Sequence, residues 1–285
     1  MARPEVIETC PAARAYADRA RASGHSIGLV PTMGALHEGH LSLVRRARTE
    51  NDRVIVSLFV NPTQFGPNED FDRYPRDLHS DLDACRTVGV DALFVPSVRE
   101  MYAPDACTVV EQKVLTEVLC GAFRPGHFRG VLTVVAKLFN IVGPCRAYFG
   151  QKDYQQYIVI RRMARDLNLP ADVHLCPTIR EPDGLAMSSR NRYLSADERR
   201  DALCLFQALS LARQQYEQGE RSASELVAAM RGHIEKVRSA HIDYVAVVHP
   251  DTLQPLSTIE DRALAALAVR IGSTRLIDNI LLGEA

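Results

Sequence analysis

The hydrophobic pattern of the chain alternates between two periods. A short, largely apolar run from Ser26 to Val30 reads as a strand buried in a parallel sheet. Pro31 and Gly34 are expected to break it. From about Gly39 the apolar positions Leu41, Leu43, Val44 and Ala47 recur at helical spacing, with Arg45, Arg46 and Arg48 between them. Before this unit, Thr9 to Ala22 predicts a helix, with Thr9 as N-cap and Pro11 in the first turn. After it come a β-branched strand at Val54–Val60, a polar loop at Asn68–Arg76 and a helix through Leu78, Leu82, Cys85 and Val88. A strand at Ala92–Val95, a helical stripe through Leu132, Val135, Ala136, Phe139 and Val142, and a strand at Ala147–Phe149 follow. A helix from about Tyr154 to Leu167 and a strand at Val173–Ile179 complete the series. Strands alternating with helices at these separations predict βαβ units, a parallel sheet and right-handed crossovers.

Past residue 180 the pattern changes. Ser195 and Glu198 form a capping box that opens a helix through Gln214, and Ser222 and Glu225 open another that ends near Arg238. Three strand-like runs follow, Tyr244–Val248, Ala265–Ile271 and Arg275–Leu282, the last two joined by a Gly272-Ser273 turn. The expected fold is α/β, a Rossmann-like parallel-sheet domain over residues 1–178 with a smaller C-terminal α+β domain over 179–285.

Composition narrows the function classes. The 285 residues are 46% hydrophobic, which suits a globular chain with a substantial core. A net charge of -1 argues against a broad nucleic-acid surface. The seven cysteines are scattered and include no C-x-x-C, as expected for buried free thiols in a reducing cytoplasm. The opening Met-Ala-Arg-Pro-Glu leads into a charged stretch without an apolar signal region, and no apolar run reaches membrane-spanning length.

Candidate chemistry gathers where strands end. Open parallel sheets bind ligands beyond the carboxyl ends of their strands. Four polar clusters directly follow predicted strands: Met33–His40, Asn61–Gly66, Gly150–Gln156 and Gly184–Asn191. Four such loops on one edge describe a cleft. His37 and His40 stand at a helix N-terminus whose free N–H groups and dipole favour an anion such as phosphate, and Gly39 lets a ligand approach the main chain. The same two rings also suit an ordinary polar loop, and they lack a third ligand at zinc spacing. Lys152 is a point charge suited to phosphate, and Asp153 can accept from ribose hydroxyls. A surface Lys-Asp pair has the same appearance. Ser188, Ser189 and Arg190 offer two hydroxyls and a guanidinium to a polyphosphate, or a solvated capping loop. Gln64 and Gln156 are neutral amides able to hold a small polar acid. Asp70, Asp72, Asp77, Asp81 and Asp83 read as a solvated face, with no magnesium contact assigned. Arg124–Arg129 is a basic, turn-rich segment that either faces the cleft or packs beneath it.

Pro31-Thr32-Met33-Gly34-Ala35-Leu36-His37-Glu38-Gly39-His40, Val60–Phe65, Gly126-His127-Phe128 with Gly130-Val131, Phe149–Gln156 and Met187–Asn191 together resemble the pantothenate synthetase (pantoate–β-alanine ligase) family. The likeness spans nearly the whole chain. His37-Glu38-Gly39-His40 alone marks the wider HxGH nucleotidyltransferase superfamily, and Met187–Arg190 resembles its KMSKS loop. Gln151 stands where the family often has Glu, and Ile179 where it often has Val. The resemblance implies condensation of pantoate with β-alanine through a pantoyl adenylate, with ATP as substrate and Mg2+ carried on it. It implies His40 as proton donor beside His37, and Lys152 between the α-phosphate and the incoming carboxylate. Ser188, Ser189 and Arg190 would hold pyrophosphate, Gly150 and Asp153 the ribose, and the backbone at Ile179 and Met187 the adenine. Met33, Gly34 and Gly39 would complete the ATP site, and Gln64 and Gln156 would hold pantoate. A lid at Asn68–Arg76, a covering C-terminal domain, a homodimer and a cytoplasmic location are further expectations. An adenylyltransferase that leaves AMP on its product and a non-catalytic nucleotide-binding protein are the alternatives.

Overall fold

A computed structural model describes residues 3–67 and 69–283. The chain divides into two compact units. The first comprises the chain up to Thr116, with Arg124–Gly150 and Gln156–Pro177. The second comprises Glu117–Phe123, Gln151–Gln155 and the chain from Thr178 onward.

The first unit is built on a parallel sheet. Its strands are β1 (Glu5–Ile7), β2 (Ile27–Thr32), β3 (Arg53–Leu58), β4 (Ala92–Phe94), β5 (Cys145–Gly150) and β6 (Ala171–Cys176), in the order β1-β4-β3-β2-β5-β6. Its helices are α1 (Cys10–Ala22), α2 (Glu38–Glu50), α3 (Leu78–Thr87) and the single turn α4 (Val98–Met101). The single turn α5 (Cys120–Phe123) belongs to the second unit, and α6 (His127–Val142) and α7 (Tyr154–Asp166) follow it in the chain. The predicted stripe of α2 is realised, with Leu43, Val44 and Ala47 buried against Val30, Val54, Val56 and Leu58 of the sheet. The Thr9 side chain caps α1 by accepting from the Ala12 N–H. Helices α1 and α6 pack together and against β2. The strand order reverses between β2 and β5, which makes the space beyond their carboxyl ends the switch-point crevice of the sheet.

Pro31 does not end the first strand, because β2 continues to Thr32 with Pro31 opposite Ser57. The Thr32 carbonyl accepts from the Phe59 N–H on the β3 side, so the imide nitrogen of Pro31 faces β5. The β2–β5 ladder covers only Gly28 and Leu29, so no ladder donor is missing. The short edge strand β1 carries too few residues to show a period, and the pattern does not predict it. The strand predicted to reach Ile179 stops at Cys176 before Pro177, so the polar cluster Gly184–Asn191 does not emerge from the sheet.

The second unit holds α8 (Ala196–Asp201), α9 (Leu203–Glu217), α10 (Ala223–Ile234) and the antiparallel strands β7 (Ala240–Val248), β8 (Ala263–Ile271) and β9 (Thr274–Leu282). The capping box at Ser195 and Glu198 is present. The helix it opens is polar and ends at Asp201, whereas the apolar stripe of Cys204, Leu205, Ala208, Leu209 and Ala212 belongs to α9. One expected helix is therefore two. Leu276, Ile280 and Leu282 of β9 join these residues in the core, so one sheet face packs on the helices. The opposite face carries Arg275 and Asn279, which bond to Cys120 and to the Gln151-Lys152 backbone. The two segments drawn from earlier in the chain, Glu117–Phe123 and Gln151–Gln155, meet the sheet on that face.

The cysteines are all free, with Cys85, Cys120, Cys176 and Cys204 buried and Cys107 exposed. Among the described residues no helix is long and apolar enough to cross a membrane.

Candidate active site

In the first unit the candidate residues sit beyond the carboxyl ends of β2, β3 and β5. The chain leaves β2 through Gly34 and Ala35, both with positive φ, at 86° and 52°. A Cβ at Gly34 would come 2.9 Å from Asp81 Oδ2. Asp81 is 4% exposed, and its carboxylate accepts the N–H of Ala35 at 3.0 Å and of Leu36 at 2.8 Å. The solvated face expected of Asp81 is not what the fold provides. It is a buried clamp on the loop that carries the histidines.

His37 is the N-cap of α2, and His40 is the third residue inside the helix. His37 Nδ1 accepts the Gly39 N–H at 3.1 Å, and His40 Nδ1 accepts the His37 N–H at 3.4 Å. The two rings thus form a reciprocal capping box, with centroids 4.1 Å apart. A nitrogen that accepts carries no proton, so the neutral rings hold theirs on Nε2. The backbone therefore fixes both rings as Nε2–H donors at a helix N-terminus, where anions bind.

The loop after β3 is built on Asn61, which is 1% exposed. Its Nδ2 donates to Gln64 Oε1 at 3.0 Å and to the Gly130 carbonyl at 3.1 Å, and its Oδ1 accepts from Tyr102 Oη at 2.9 Å. The Gln64 carboxamide is thereby oriented, and its Nε2 lies 3.2 Å from Met33 Sδ. Met33 and Gln64, far apart in the chain, touch. Gly130 is required for this approach, because a Cβ there would lie 2.3 Å from the Thr63 carbonyl oxygen.

The Arg124–Arg129 segment packs against the same turn. His127 Nδ1 donates to the Gln64 carbonyl at 2.8 Å, leaving Nε2 to accept from Arg124 at 2.9 Å. Arg124 grips Glu69 through two 2.6 Å bonds. Burial raises the Glu69 carboxyl, but the hydrogen bonds and charge of Arg124 outweigh it and hold it at about 2. Within the expected lid, Asn68 lies outside the described residues. Phe71 and Tyr74 stack edge-on against Phe65 at 5.4 and 6.0 Å. Gly150 ends β5, beside β2 in the sheet, and Gln156 lies in α7.

The remaining candidates belong to the second unit. Gln151–Asp153 form a single 3-10 turn, with Lys152 Nζ 3.8 Å from Asp153 Oδ2. The expected boundary at residue 178 sets Lys152 and Asp153 in the first domain. The Gln151 and Lys152 carbonyls accept from Asn279 of β9, and Gln151–Gln155 group instead with the second unit. Ile179 and Met187 face each other across a tight hairpin, the Met187 N–H donating to the Ile179 carbonyl at 3.0 Å. Ser188 caps the turn Ser189–Tyr193 by accepting from the Arg190 N–H at 3.3 Å. Asn191 Nδ2 ties that turn to the Ala186 carbonyl. Gln155, next to the candidate Gln156, serves a different end. Its amide bonds the Cys120 N–H and the Val118 carbonyl, holding Glu117–Phe123 in place.

The sequence places Asn61 in a polar cluster without giving it a role of its own, makes Asp81 part of a solvated face, and does not single out Asn279. Asn61 follows a strand directly, and Asn279 forms with Asp278 a polar pair inside an apolar strand; both were legible signals. Asp81 gave none, since an acidic helical residue ordinarily faces water.

A family model described as Pantoate-beta-alanine ligase matches residues 5–281. The chain belongs to the pantoate–β-alanine ligase family. It is 59% identical over 278 residues to a pantothenate synthetase of Moorella thermoacetica, covering 98% of each chain. It is 55% identical over 279 residues to that of Thermotoga petrophila, covering 98% of this chain and 100% of the relative. Among solved structures, the pantothenate synthetase of Thermus thermophilus matches with a TM-score of 0.92 at 49% identity, covering 97% of this chain and 98% of that one. The pantoate–β-alanine ligase of Francisella tularensis, a structure described as complexed with β-γ ATP and β-alanine, matches with a TM-score of 0.80 at 36% identity, covering 98% and 97%. The fold of the family, a parallel α/β sheet with a small antiparallel sheet, is the fold of this chain.

Proposed function

We propose that the chain condenses pantoate with β-alanine at the expense of ATP, giving pantothenate, AMP and pyrophosphate. The observations that carry this reading are the histidine capping box after β2 and the Met33–Gln64 contact that joins the loops after β2 and β3, in a chain of this family. A pantoate carboxylate oxygen attacks the α-phosphorus of ATP. The bond from that phosphorus to the bridging oxygen breaks, and pyrophosphate leaves. The amine of β-alanine then attacks the acyl carbon of the pantoyl adenylate, and AMP leaves.

Phosphoryl transfer of this kind needs positioning and charge stabilisation rather than a covalent enzyme group. In this reading the Nε2–H groups of His37 and His40 donate to the phosphates, and His40 supplies the proton donor for the leaving group. Lys152 neutralises charge between the α-phosphate and the carboxylate. Ser188, Ser189 and Arg190 hold the departing pyrophosphate. Met33, Gly34 and Gly39 line the nucleotide site, Gly150 and Asp153 hold the ribose, and the backbone of Ile179 and Met187 holds the adenine. Gln64 and Gln156 bind pantoate. Mg2+ enters on ATP as part of the substrate.

The mixed anhydride hydrolyses in water, so the site must close. Residues 69–76 and the domain 179–285 are the two covers in this reading, and the domain 1–178 carries the pantoate site. The enzyme works as a homodimer in the cytoplasm, within the HxGH nucleotidyltransferase superfamily. AMP release from ATP and pantoate, with and without β-alanine, tests the reading. Stoichiometric AMP that requires β-alanine is expected. A nucleotidylated product with no AMP released would overturn it.

A further inference from the structure

The second unit contains a polar pair where its strand pattern calls for apolar residues. Asp278 falls in the same row of β9 as Leu276, Ile280 and Leu282, which face α9 and α10. It is 3% exposed. Its neighbour Asn279, 4% exposed, falls on the opposite face. Each makes a different long-range connection.

Asn279 Nδ2 donates to two main-chain carbonyls, Gln151 at 2.9 Å and Lys152 at 3.0 Å. The orientation of this amide is fixed, since the reverse would set its oxygen against two carbonyl oxygens. Asp278 receives Arg180 through two bonds, Nη1 at 2.5 Å and Nη2 at 2.9 Å. Arg180 Nη1 also donates to the Gly184 carbonyl at 3.1 Å, and its guanidinium lies over the Phe206 ring at 4.7 Å. Arg180 pairs with Ala186 across the hairpin, one residue before Met187. One dipeptide of one strand therefore anchors both the turn bearing Lys152 and the loop leading to Ser188–Arg190.

We infer that Asp278 and Asn279 are positioning residues that hold Lys152 and the Met187–Arg190 loop in a fixed mutual register for phosphoryl transfer. This rests on the reading that Lys152 and Ser188–Arg190 hold the nucleotide phosphates. Two observations separate it from a stabilising role. Replacing a buried ion pair by apolar residues of similar volume is often neutral or stabilising, so the pair is a poor device for stability alone. The Asn279 amide also ends on the backbone of the lysine-bearing turn itself, where a small shift moves the ammonium group. Catalysis is sensitive to displacements of about 1 Å, and such displacements arise from groups that touch no substrate.

The test is a double-mutant cycle read by pantoate-dependent exchange of labelled pyrophosphate into ATP. Wild type, Lys152→Ala, Asn279→Ala and the double variant are compared, with thermal melting recorded for each. Asn279→Ala is expected to lower the exchange kcat by about 10–100-fold; losing two buried hydrogen bonds also lowers its melting temperature, so exchange is read well below the transition, where the variant is folded. The double variant is expected to be no more than about twofold slower than Lys152→Ala, because Asn279 acts through Lys152. Asn279→Ser, which keeps one donor, is expected to fall between, and it serves as the working variant should Asn279→Ala fail to fold. For the other connection, Arg180→Met with Asp278→Leu is expected to melt near wild type yet lose exchange by at least tenfold. Losses that multiply in the double variant, or exchange within twofold of wild type in Asn279→Ala, would overturn the inference while leaving the site reading in place. Full exchange by Lys152→Ala would overturn the site reading and the inference with it.

Discussion

His37 and His40 together cap α2: His40 Nδ1 accepts the N–H of the N-cap His37, His37 Nδ1 accepts the Gly39 N–H, and the two rings stand 4.1 Å apart. One interaction does two jobs. It satisfies donors that a helix start leaves open, and it commits both Nε2 atoms to donation. A preorganised donor of this kind contributes to a transition state without reorganising as the reaction proceeds.

His40→Ala removes one such donor. The adenylation rate, followed by pyrophosphate exchange, is expected to fall on the order of 10²–10³-fold. Loss of its half of the capping box should cost only about 1 kcal/mol of stability. An exchange rate within tenfold of wild type would remove His40 from the chemistry.

Asp81 holds the loop that delivers those histidines, through the N–H groups of Ala35 and Leu36. Asp81→Asn keeps the shape but sets an amide N–H against one backbone donor. A buried donor left without an acceptor costs about 1–3 kcal/mol, so urea unfolding should show a loss of that size. ATP KM should rise in parallel. A variant with wild-type stability and KM would show that this clamp is dispensable.

Gly130 lets α6 approach the Asn61–Gln64 turn. In Gly130→Ala the new Cβ meets the Thr63 carbonyl at 2.3 Å, and backbone cannot yield as a side-chain tip does. The turn carrying Gln64 must shift. We expect KM for pantoate to rise by about tenfold or more, with KM for ATP changed much less. Equal effects on both would place the disturbance elsewhere.

The Glu69–Arg124 pair predicts a pH dependence. The Glu69 carboxyl is held at about 2 in the folded protein against an ordinary 4.5. A depressed carboxyl stabilises the fold above its unfolded value, and that contribution fades as pH falls from about 5 towards 2. It amounts to ~3 kcal/mol. Urea midpoints measured from pH 6 to pH 3 should fall more steeply in wild type than in Glu69→Gln. Parallel slopes would contradict the assignment.

Much of the architecture was legible because its signals are local. The stripe of Leu43, Val44 and Ala47, the cap at Thr9 and the alternation of strand and helix all follow from periodicity and short-range hydrogen bonding. Pro31 misled because its effect depends on which neighbour its nitrogen faces, a property of the sheet rather than of the residue. The candidate site reads in the sequence as a set of loops, and the hydrogen bonds that order those loops do not. Asp81 is an acid in a helix until the fold buries it beneath the Gly34–Leu36 turn. Lys152 directly follows a strand of the first unit, yet its backbone is held by Asn279, more than a hundred residues later in the chain. Such partners are chosen by tertiary contact, which no window of sequence contains.

Pantoate is activated, in the proposed reaction, by a bond from its own carboxylate oxygen to the α-phosphorus of ATP. Pantoate labelled with heavy oxygen in its carboxylate tests this directly when turned over with ATP and β-alanine. One labelled oxygen in each AMP and none in pyrophosphate is the expected result. Unlabelled AMP, or label recovered in pyrophosphate, would contradict it.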